Sequence, residues 1–213
     1  MKIFGIYLLV AVINLISALY FKEGLRKITK CLLMPALLVF YIFASEQIDF
    51  LVIAALVFSC AGDVLLIKKD KEIFFKLGLA AFLISHVFYL VAFLIMAAGL
   101  NYLALIISVI IAVPVVLIIL KLLKASPKMK IPVIAYAVVI VLMSLAALQL
   151  MLAHPGFASM IVFAASLIYI FSDSFMAYLL FNGKPKYFNF ITMLPYIIAQ
   201  GGIIIGLVLG FGG

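Results

Sequence analysis

Long stretches without a charged residue constrain this chain more than any other feature. The uncharged runs cover 3–21, 31–45, 50–67, 77–120, 131–183 and 187–213. Only Asp63 and Asp173 interrupt them. The 213 residues are 70% hydrophobic and 10% charged, far from the composition of soluble domains. Since a helix needs about 20 apolar residues to cross the hydrocarbon layer, residues 1–213 are predicted to form a single transmembrane domain.

Two of the uncharged runs are too long for one membrane-spanning helix. Run 77–120 contains Gly99-Leu100-Asn101, and run 131–183 contains His154-Pro155-Gly156. Because Gly, Asn and Pro end helices and form turns, each run is predicted to fold back at these positions. The fold class is therefore predicted to be all-α, a polytopic membrane bundle of about eight transmembrane helices, with 3–21 as the first.

Lysine and arginine are concentrated in alternate connections between these segments. They are Lys22, Arg26, Lys27 and Lys30; Lys68, Lys69, Lys71 and Lys76; Lys121, Lys124, Lys128 and Lys130; and Lys184 and Lys186. Cytoplasmic connections carry the excess of positive charge, so both termini are predicted to be non-cytoplasmic. The net charge of +8 then indicates orientation and contact with anionic membrane lipids, and it does not favour nucleic-acid binding. In a bacterium the protein would lie in the cell (inner) membrane.

The segments that carry Asp63 and Asp173 are four helices apart and are predicted to run in the same direction. Lys30 is followed by Pro35, and a weakly similar pair, Lys130 and Pro132, occurs later in the chain. These features permit a four-plus-four parallel repeat, as in transporters built from duplicated halves.

The two embedded aspartates are the strongest candidates for functional residues. A charged side chain at the bilayer centre costs at least about 2.5–3.5 kcal/mol on insertion scales, so such a group needs a partner, a cavity or a function. A purely structural role would require a buried basic partner, for which Lys30 and His86 are the candidates. Lys30 itself either extends to the cytoplasmic edge or lines a wet cavity, because the uncharged run that follows it is short.

Further polar residues share helical faces with the aspartates or lie in neighbouring segments. Helical spacing aligns Ser59 with Asp63, Tyr169 with Asp173, His86 with Tyr89, and Tyr196 with Gln200. Isolated embedded hydroxyl and amide groups usually bond helices to each other, and Tyr136 and Ser144 are interpreted in this way. The sequence has no Gly-rich phosphate loop, His-Glu-x-x-His or Cys-x-x-Cys motif, so no metal and no cofactor are predicted.

These motifs, taken in order along the chain, resemble the lysoplasmalogenase family, also called YhhN-like. The matching positions are Lys30 with Pro35, Phe58-Ser59 with Gly62-Asp63, His86 with Tyr89, Ser172-Asp173-Ser174, and Tyr196 with Ala199-Gln200. Cys31 departs from the pattern, which would have proline after the lysine. The resemblance implies a hydrolase that cleaves the vinyl-ether bond of lysoplasmenylcholine or lysoplasmenylethanolamine into a fatty aldehyde and a glycerophospho-base.

The residues themselves could perform this reaction. Hydrolysis of an enol ether needs a proton donor, an anion that stabilises the oxocarbenium ion, and a positioned water. Two carboxyls in unlike surroundings supply the first two, as in glycoside hydrolysis. Asp63 and Asp173 are predicted to be this catalytic pair, with no assignment of which is the acid.

The remaining candidates are given supporting roles. His86, with Tyr196 or Gln200, would orient the water or a carboxyl, and Lys30 would attract the phosphate of the lysophospholipid. The predicted substrate-binding residues are Lys30, Ser59, Tyr89, Tyr169, Tyr196 and Gln200.

Two other interpretations of the embedded carboxyls stay open. In a proton- or cation-coupled transporter, Asp63, Asp173 and His86 would form a relay reached from both sides of the membrane in turn. In a lipid-binding or assembly protein, the carboxyls would be structural. The enzyme hypothesis predicts instead that both carboxyls line one closed-ended pocket that opens toward the cytoplasmic leaflet.

Overall fold

A computed structural model describes residues 3–68, 71–99 and 127–212, together with scattered residues between 101 and 121. The helices are α1 Phe4–Leu19, α2 Glu23–Ala44, α3 Phe50–Leu65, α4 Glu72–Ala97, α5 Pro127–Ala153, α6 Phe157–Asn182 and α7 Phe188–Phe211. A short 3₁₀ turn, Leu66–Lys68, follows α3. No strand occurs in these described ranges.

The helices are long and apolar enough for a membrane protein. Among the described residues, six spans meet the length and hydropathy expected of a membrane crossing: α2, α3 together with its 3₁₀ turn to Lys68, and α4 to α7. Helix α1 has 16 residues and is shorter than these spans. The predicted all-α membrane fold is therefore confirmed. The additional helix predicted after residue 101 lies largely outside the described residues, although Tyr102, Val109 and Leu117 are helical. The count of eight, the repeat and the orientation of the termini stay predictions.

Both predicted turns fall where a described helix ends. Helix α5 ends at Ala153 and α6 begins at Phe157, so the His154-Pro155-Gly156 segment separates them. Helix α4 ends at Ala97, and Ala98 then adopts a left-handed conformation with φ of 51°, which stops the helix. The rest of that turn includes Leu100, which lies outside the described residues.

Helix α2 is longer than its uncharged run suggested. It begins at Glu23 and has 22 residues, so Lys30 lies two turns inside the helix and not at its entrance. The uncharged run 31–45 underestimates the length of this helix, because Lys, Arg and Glu are good helix formers and the helix begins before that run. Glu23, in the first turn, pairs with Arg26 at 2.6 Å.

Helices α6 and α7 are in close backbone contact through small residues. A Cβ added at Gly202 would lie 2.8 Å from Ala165, and one at Gly210 would lie 2.6 Å from Ala158. Only glycine permits this approach, as at other tightly packed membrane helices. The same antiparallel register places Asp173 of α6 level with the turn of α7 that carries Tyr196.

Helix α1 is attached to the bundle by buried hydrogen bonds. The Tyr7 hydroxyl donates to the Ile197 carbonyl at 2.7 Å, and Asn14 Nδ2 donates to the Arg26 carbonyl and to Thr29 Oγ1, each at 2.9 Å. At the start of α2, Asn189 of α7 bonds to Glu23. One end of the bundle is called here the basic end. It contains the first turns of α2, α4 and α7 and the last turns of α3 and α6.

Candidate active site

Asp63 is a fully buried carboxylate with a cationic partner. It lies in the last turn of α3 and is 1% exposed. Its Oδ1 is 3.2 Å from Lys30 Nζ on α2, and its Oδ2 accepts a hydrogen bond of 2.7 Å from the Tyr196 hydroxyl on α7. Lys30 is therefore buried against Asp63, and of its two predicted placements it adopts the one that lines a cavity. Three helices meet at this carboxylate.

Asp173 has a different set of partners. It lies on α6, is partly buried, and accepts a short hydrogen bond on Oδ2 from the Tyr136 hydroxyl of α5. Among the described residues, no lysine, arginine or histidine forms a salt bridge with it. One carboxyl of the pair is thus neutralised by an ammonium group, and the other is held only by a phenol.

Both carboxyls line the same cavity. Its polar lining comes from five helices and consists of Arg26, Lys30, Asp63, Tyr136, Ser172, Asp173, Asn189, Thr192 and Tyr196. Its apolar wall includes Phe75, Phe82 and Met176. The cavity volume is about 50 Å³. Since one water occupies at least ~10–15 Å³ on this measure, the hollow holds a few waters and is far too small for a whole lysolipid.

A second polar cluster lies one helical turn deeper and is called here the glutamine network (Ser59, Ser85, Tyr89, Tyr169 and Gln200). Gln200 Nε2 donates to Ser59 Oγ at 3.0 Å and to the Tyr169 hydroxyl at 2.8 Å, and Gln200 Oε1 accepts from the Tyr89 hydroxyl at 3.1 Å. Ser59 and Ser85 share a hydrogen bond of 2.8 Å. All five residues are 0% exposed.

The glutamine network forms the inner floor of the cavity and not its wall. Ser59 precedes Asp63 by four residues, Tyr169 precedes Asp173 by four, and Gln200 follows Tyr196 by four. Each is thus one turn farther from the basic end. Four predicted substrate-binding residues, Ser59, Tyr89, Tyr169 and Gln200, are absent from the cavity lining, and their role as substrate contacts stays a prediction.

His86 forms no hydrogen bond or salt bridge with either aspartate. Its Nδ1 lies 2.5 Å from the Phe82 carbonyl, which can only accept, so Nδ1 carries the proton. Its Nε2 is buried without a hydrogen-bond partner. The imidazole packs edge-on against the rings of Tyr136 and Tyr169, at centroid distances of 5.4 and 4.7 Å. His86 is therefore not among the residues that line the cavity and lies behind Tyr136, which does line it.

Arg26 and Tyr136 are cavity residues that the sequence did not single out as site residues. Arg26 precedes Lys30 by one turn, so helical spacing could have placed both cations on one face. Tyr136 was interpreted as a bond between helices, and its hydroxyl does join α5 to α6. Residue spacing within one helix could not identify Asp173 as its acceptor, because the two residues lie on different helices.

Together the fold and the site define a class of protein: a helical membrane protein with a buried, two-carboxyl cavity at one end of its bundle. The chain belongs to the YhhN family, whose model matches residues 25–207. This is the family of lysoplasmalogenases, and the matched range contains every residue of the cavity lining. Neither a curated protein nor a solved structure matches the chain.

Proposed function

We propose that this protein hydrolyses the vinyl-ether bond of lysoplasmalogens by acid catalysis within the cavity of α2, α3, α5, α6 and α7. One observation carries the proposal: Asp63 and Asp173 line one hollow with unlike partners, an ammonium group and a phenol. Family membership supports the same activity. The pair resembles the division of labour between an acid and a carboxylate in glycoside hydrolysis.

Asp173 is the proposed proton donor. Lys30 compensates the negative charge of an ionised Asp63, whereas no such cation pairs with Asp173 among the described residues. A carboxyl without a cation is the one that can enter the reaction carrying a proton. In the first step Asp173 transfers this proton to the β-carbon of the vinyl ether. The C=C bond becomes a C–C single bond, and an oxocarbenium ion forms at the α-carbon.

Asp63 is the proposed stabilising anion. Its charge lies in a low-dielectric hollow, where it offsets the positive charge that develops on the oxocarbenium ion. A water then adds to the α-carbon and loses a proton to the Asp173 carboxylate, which restores the acid and gives a hemiacetal. The hemiacetal breaks its bond to the glycerol oxygen, which takes up a proton as the hydroxyl loses one. The net reaction consumes one water and yields an aldehyde and a glycerophospho-base.

The remaining site residues act on the carboxyls. Tyr196 donates to Asp63 and Tyr136 donates to Asp173, so each phenol fixes the direction of one carboxyl. His86 supports the ring of Tyr136 from behind. Lys30, given as a phosphate ligand by the sequence, is in this proposal the counter-ion of Asp63. The glutamine network, fully buried one turn beyond the cavity, favours an enzyme pocket over a passage with access from both sides.

The direct test is aldehyde release by purified protein supplied with lysoplasmenylcholine or lysoplasmenylethanolamine. Asp63→Asn and Asp173→Asn are each expected to lower kcat by at least about a thousandfold, because each removes one of two groups that the transition state needs. Asp49→Asn is the matched control. Asp49 caps α3 by accepting from the Leu51 amide, and asparagine caps equally well. Full activity in Asp63→Asn or Asp173→Asn would remove that residue from the mechanism.

A further inference from the structure

Arg26 is a buried cation at the outer wall of the cavity. It is 8% exposed and lines the same hollow as the two aspartates, one turn closer to the basic end than Lys30. Its Nε and Nη2 donate to the two carboxylate oxygens of Glu23 at 3.1 and 2.6 Å. Arginine has five N–H donors in a planar fork, so this pairing leaves donors on the guanidinium for a second anion.

Lys30 is poorly placed to bind a phosphate. Its ammonium already pairs with Asp63 at 3.2 Å, in contact with the reacting groups. A phosphate on Lys30 would compete with Asp63 for its counter-ion and would place a second anion beside that carboxylate. Arg26 is therefore the cavity cation that can take an anion without disturbing the carboxyl pair.

Glu23 adds an anion at the rim. Its side chain is 51% exposed, compared with 10% for Arg26, so the carboxylate faces outward where the cavity meets the basic end. Asn189 of α7 donates to Glu23 Oε1 at 3.1 Å, which joins α2 to α7 beside the cavity. The Glu23–Arg26 pair thus presents a negative group outside and a positive group inside.

We infer that the Glu23–Arg26 pair is the headgroup site, selective for lysolipids with a zwitterionic phospho-base: Arg26 binds the phosphate and Glu23 binds the ammonium. This inference rests on the proposed function for the identity of the lipid. A phosphocholine or phosphoethanolamine group carries its anion nearer the glycerol and its cation farther out. The pair is complementary to this arrangement. The cation, Arg26, lies nearer the reacting carboxyls, and the anion, Glu23, lies nearer the surface.

The spacing along α2 agrees with the length of the substrate. Arg26 and Lys30 are four residues apart, which is about 6 Å along a helix. Since Lys30 marks the carboxyl pair, the phosphate would lie about one turn outward from the vinyl ether. A three-carbon glycerol backbone separates the ether oxygen from the phosphate ester oxygen and spans a comparable length.

Binding can be measured without turnover by using lipids that lack the vinyl ether. The probes are a saturated 1-O-alkyl lysophosphocholine, which is zwitterionic, and the corresponding 1-O-alkyl glycerol 3-phosphate, which is anionic. Both are titrated into the full chain in detergent, and the dissociation constants are read from ligand-induced thermal shifts. Wild-type protein is expected to bind the phosphocholine probe at least about tenfold more tightly than the phosphate probe, because Glu23 attracts an ammonium and repels a second anion.

Three variants separate recognition from folding. Arg26→Gln is expected to weaken binding of both probes about tenfold, the usual scale for one charge-assisted hydrogen bond. Glu23→Gln is expected to weaken binding of the phosphocholine probe several-fold and to strengthen binding of the phosphate probe. A merely structural defect would not change the two affinities in opposite directions. The swapped pair Glu23→Arg with Arg26→Glu keeps an ion pair on α2 but reverses its polarity, so it should lose phosphocholine binding. Lys27→Gln, an exposed cation on the same helix, is the matched control and should bind like wild type.

The outcomes distinguish this inference from the proposed function. Unchanged affinities in Arg26→Gln and in the swapped pair would overturn the headgroup site, even if the wild-type protein released aldehyde. The predicted pattern of affinities together with no aldehyde release would uphold the headgroup site and reject the vinyl-ether reaction. Equal weakening of both probes in Glu23→Gln would overturn the zwitterion selectivity.

Discussion

The two polar regions inside this bundle are one helical turn apart and differ in kind. The glutamine network consists of neutral side chains, each paired and fully buried, and none of them lines the carboxyl cavity. The carboxyl cavity above it holds two acids, a lysine and an arginine around a hollow of about 50 Å³. Both regions keep polar groups away from lipid, and the second places charged groups beside an open space.

This difference suggests that the glutamine network stabilises the bundle and that the carboxyl cavity carries the chemistry. A network of satisfied neutral hydrogen bonds holds helices together and gains nothing from being able to admit another molecule. Charges around an open space are costly to bury and are kept where a ligand or a proton has to be handled. Four experiments test whether the two regions divide their roles in this way.

The largest effect is expected from breaking the ion pair of the cavity. Lys30→Met leaves Asp63 without its counter-ion and is expected to reduce the free energy of unfolding by about 3 kcal/mol. The double variant Lys30→Met with Asp63→Asn removes both charges and should recover most of that loss, while aldehyde release stays absent. Thermal unfolding in detergent, measured with activity on the same samples, checks both statements. A double variant as unstable as Lys30→Met would show that the ion pair is not the source of the loss.

The second effect should fall on stability alone. Gln200→Leu deletes the hub of the glutamine network and leaves the hydroxyls of Ser59, Tyr89 and Tyr169 with fewer partners. Interhelical hydrogen bonds in membranes average about 0.6 kcal/mol each, so three of them are worth about 2 kcal/mol. The melting temperature should drop, and kcat should change by less than about threefold. Loss of activity without loss of stability would give Gln200 a direct role in the reaction, such as the orientation of water or a carboxyl that the sequence suggested.

The third test removes the same atom from each region. Tyr136→Phe deletes the hydroxyl that donates to Asp173 and is expected to lower kcat about tenfold with little change in stability. Tyr89→Phe deletes a hydroxyl of the glutamine network and should leave kcat within about twofold of wild type. Steady-state kinetics on the two variants make the comparison. Equal losses of kcat would mean that the two regions act as one unit.

The smallest effect is expected at His86. His86→Phe keeps an aromatic ring between Tyr136 and Tyr169 and removes a buried Nε2 that has no hydrogen-bond partner. The variant loses an unsatisfied buried atom, which is favourable, and also the hydrogen bond from Nδ1 to the Phe82 carbonyl, which is unfavourable. The free energy of unfolding should therefore stay within about 1 kcal/mol of wild type. Activity should change by less than about threefold. A folded variant with a hundredfold lower kcat would restore the catalytic role that the sequence predicted for this histidine.

The sequence predicted those features that depend on local pattern. Asp63 and Asp173 were evident because a carboxylate in an apolar run has few explanations, and the turn at Pro155-Gly156 followed from residues that end helices. The fold class followed from the length of the uncharged runs. Each of these inferences uses residues that are neighbours in the chain.

The sequence offered Lys30 and His86 as possible basic partners of the aspartates, but it did not decide between them and did not identify Tyr136 as the partner of Asp173. The partner of Asp63 is 33 positions away at Lys30, and the partner of Asp173 is Tyr136 on another helix. Helical periodicity tells which residues share a face, but it does not tell which neighbouring helix that face meets. Periodicity also grouped Ser59 with Asp63 and Gln200 with Tyr196 as substrate-binding candidates. Ser59 and Gln200 do not line the cavity, and their role as substrate contacts stays a prediction.

The glycine contacts between α6 and α7 determine which part of the bundle can move. With Ala165 and Ala158 packed on Gly202 and Gly210, these two helices cannot slide past each other without steric overlap, so they behave as one rigid unit. That unit carries Asp173, Tyr196 and Asn189 together. We therefore expect any widening of the hollow to come from the helices packed around this unit, and widening at α2 would separate Glu23 from Asn189.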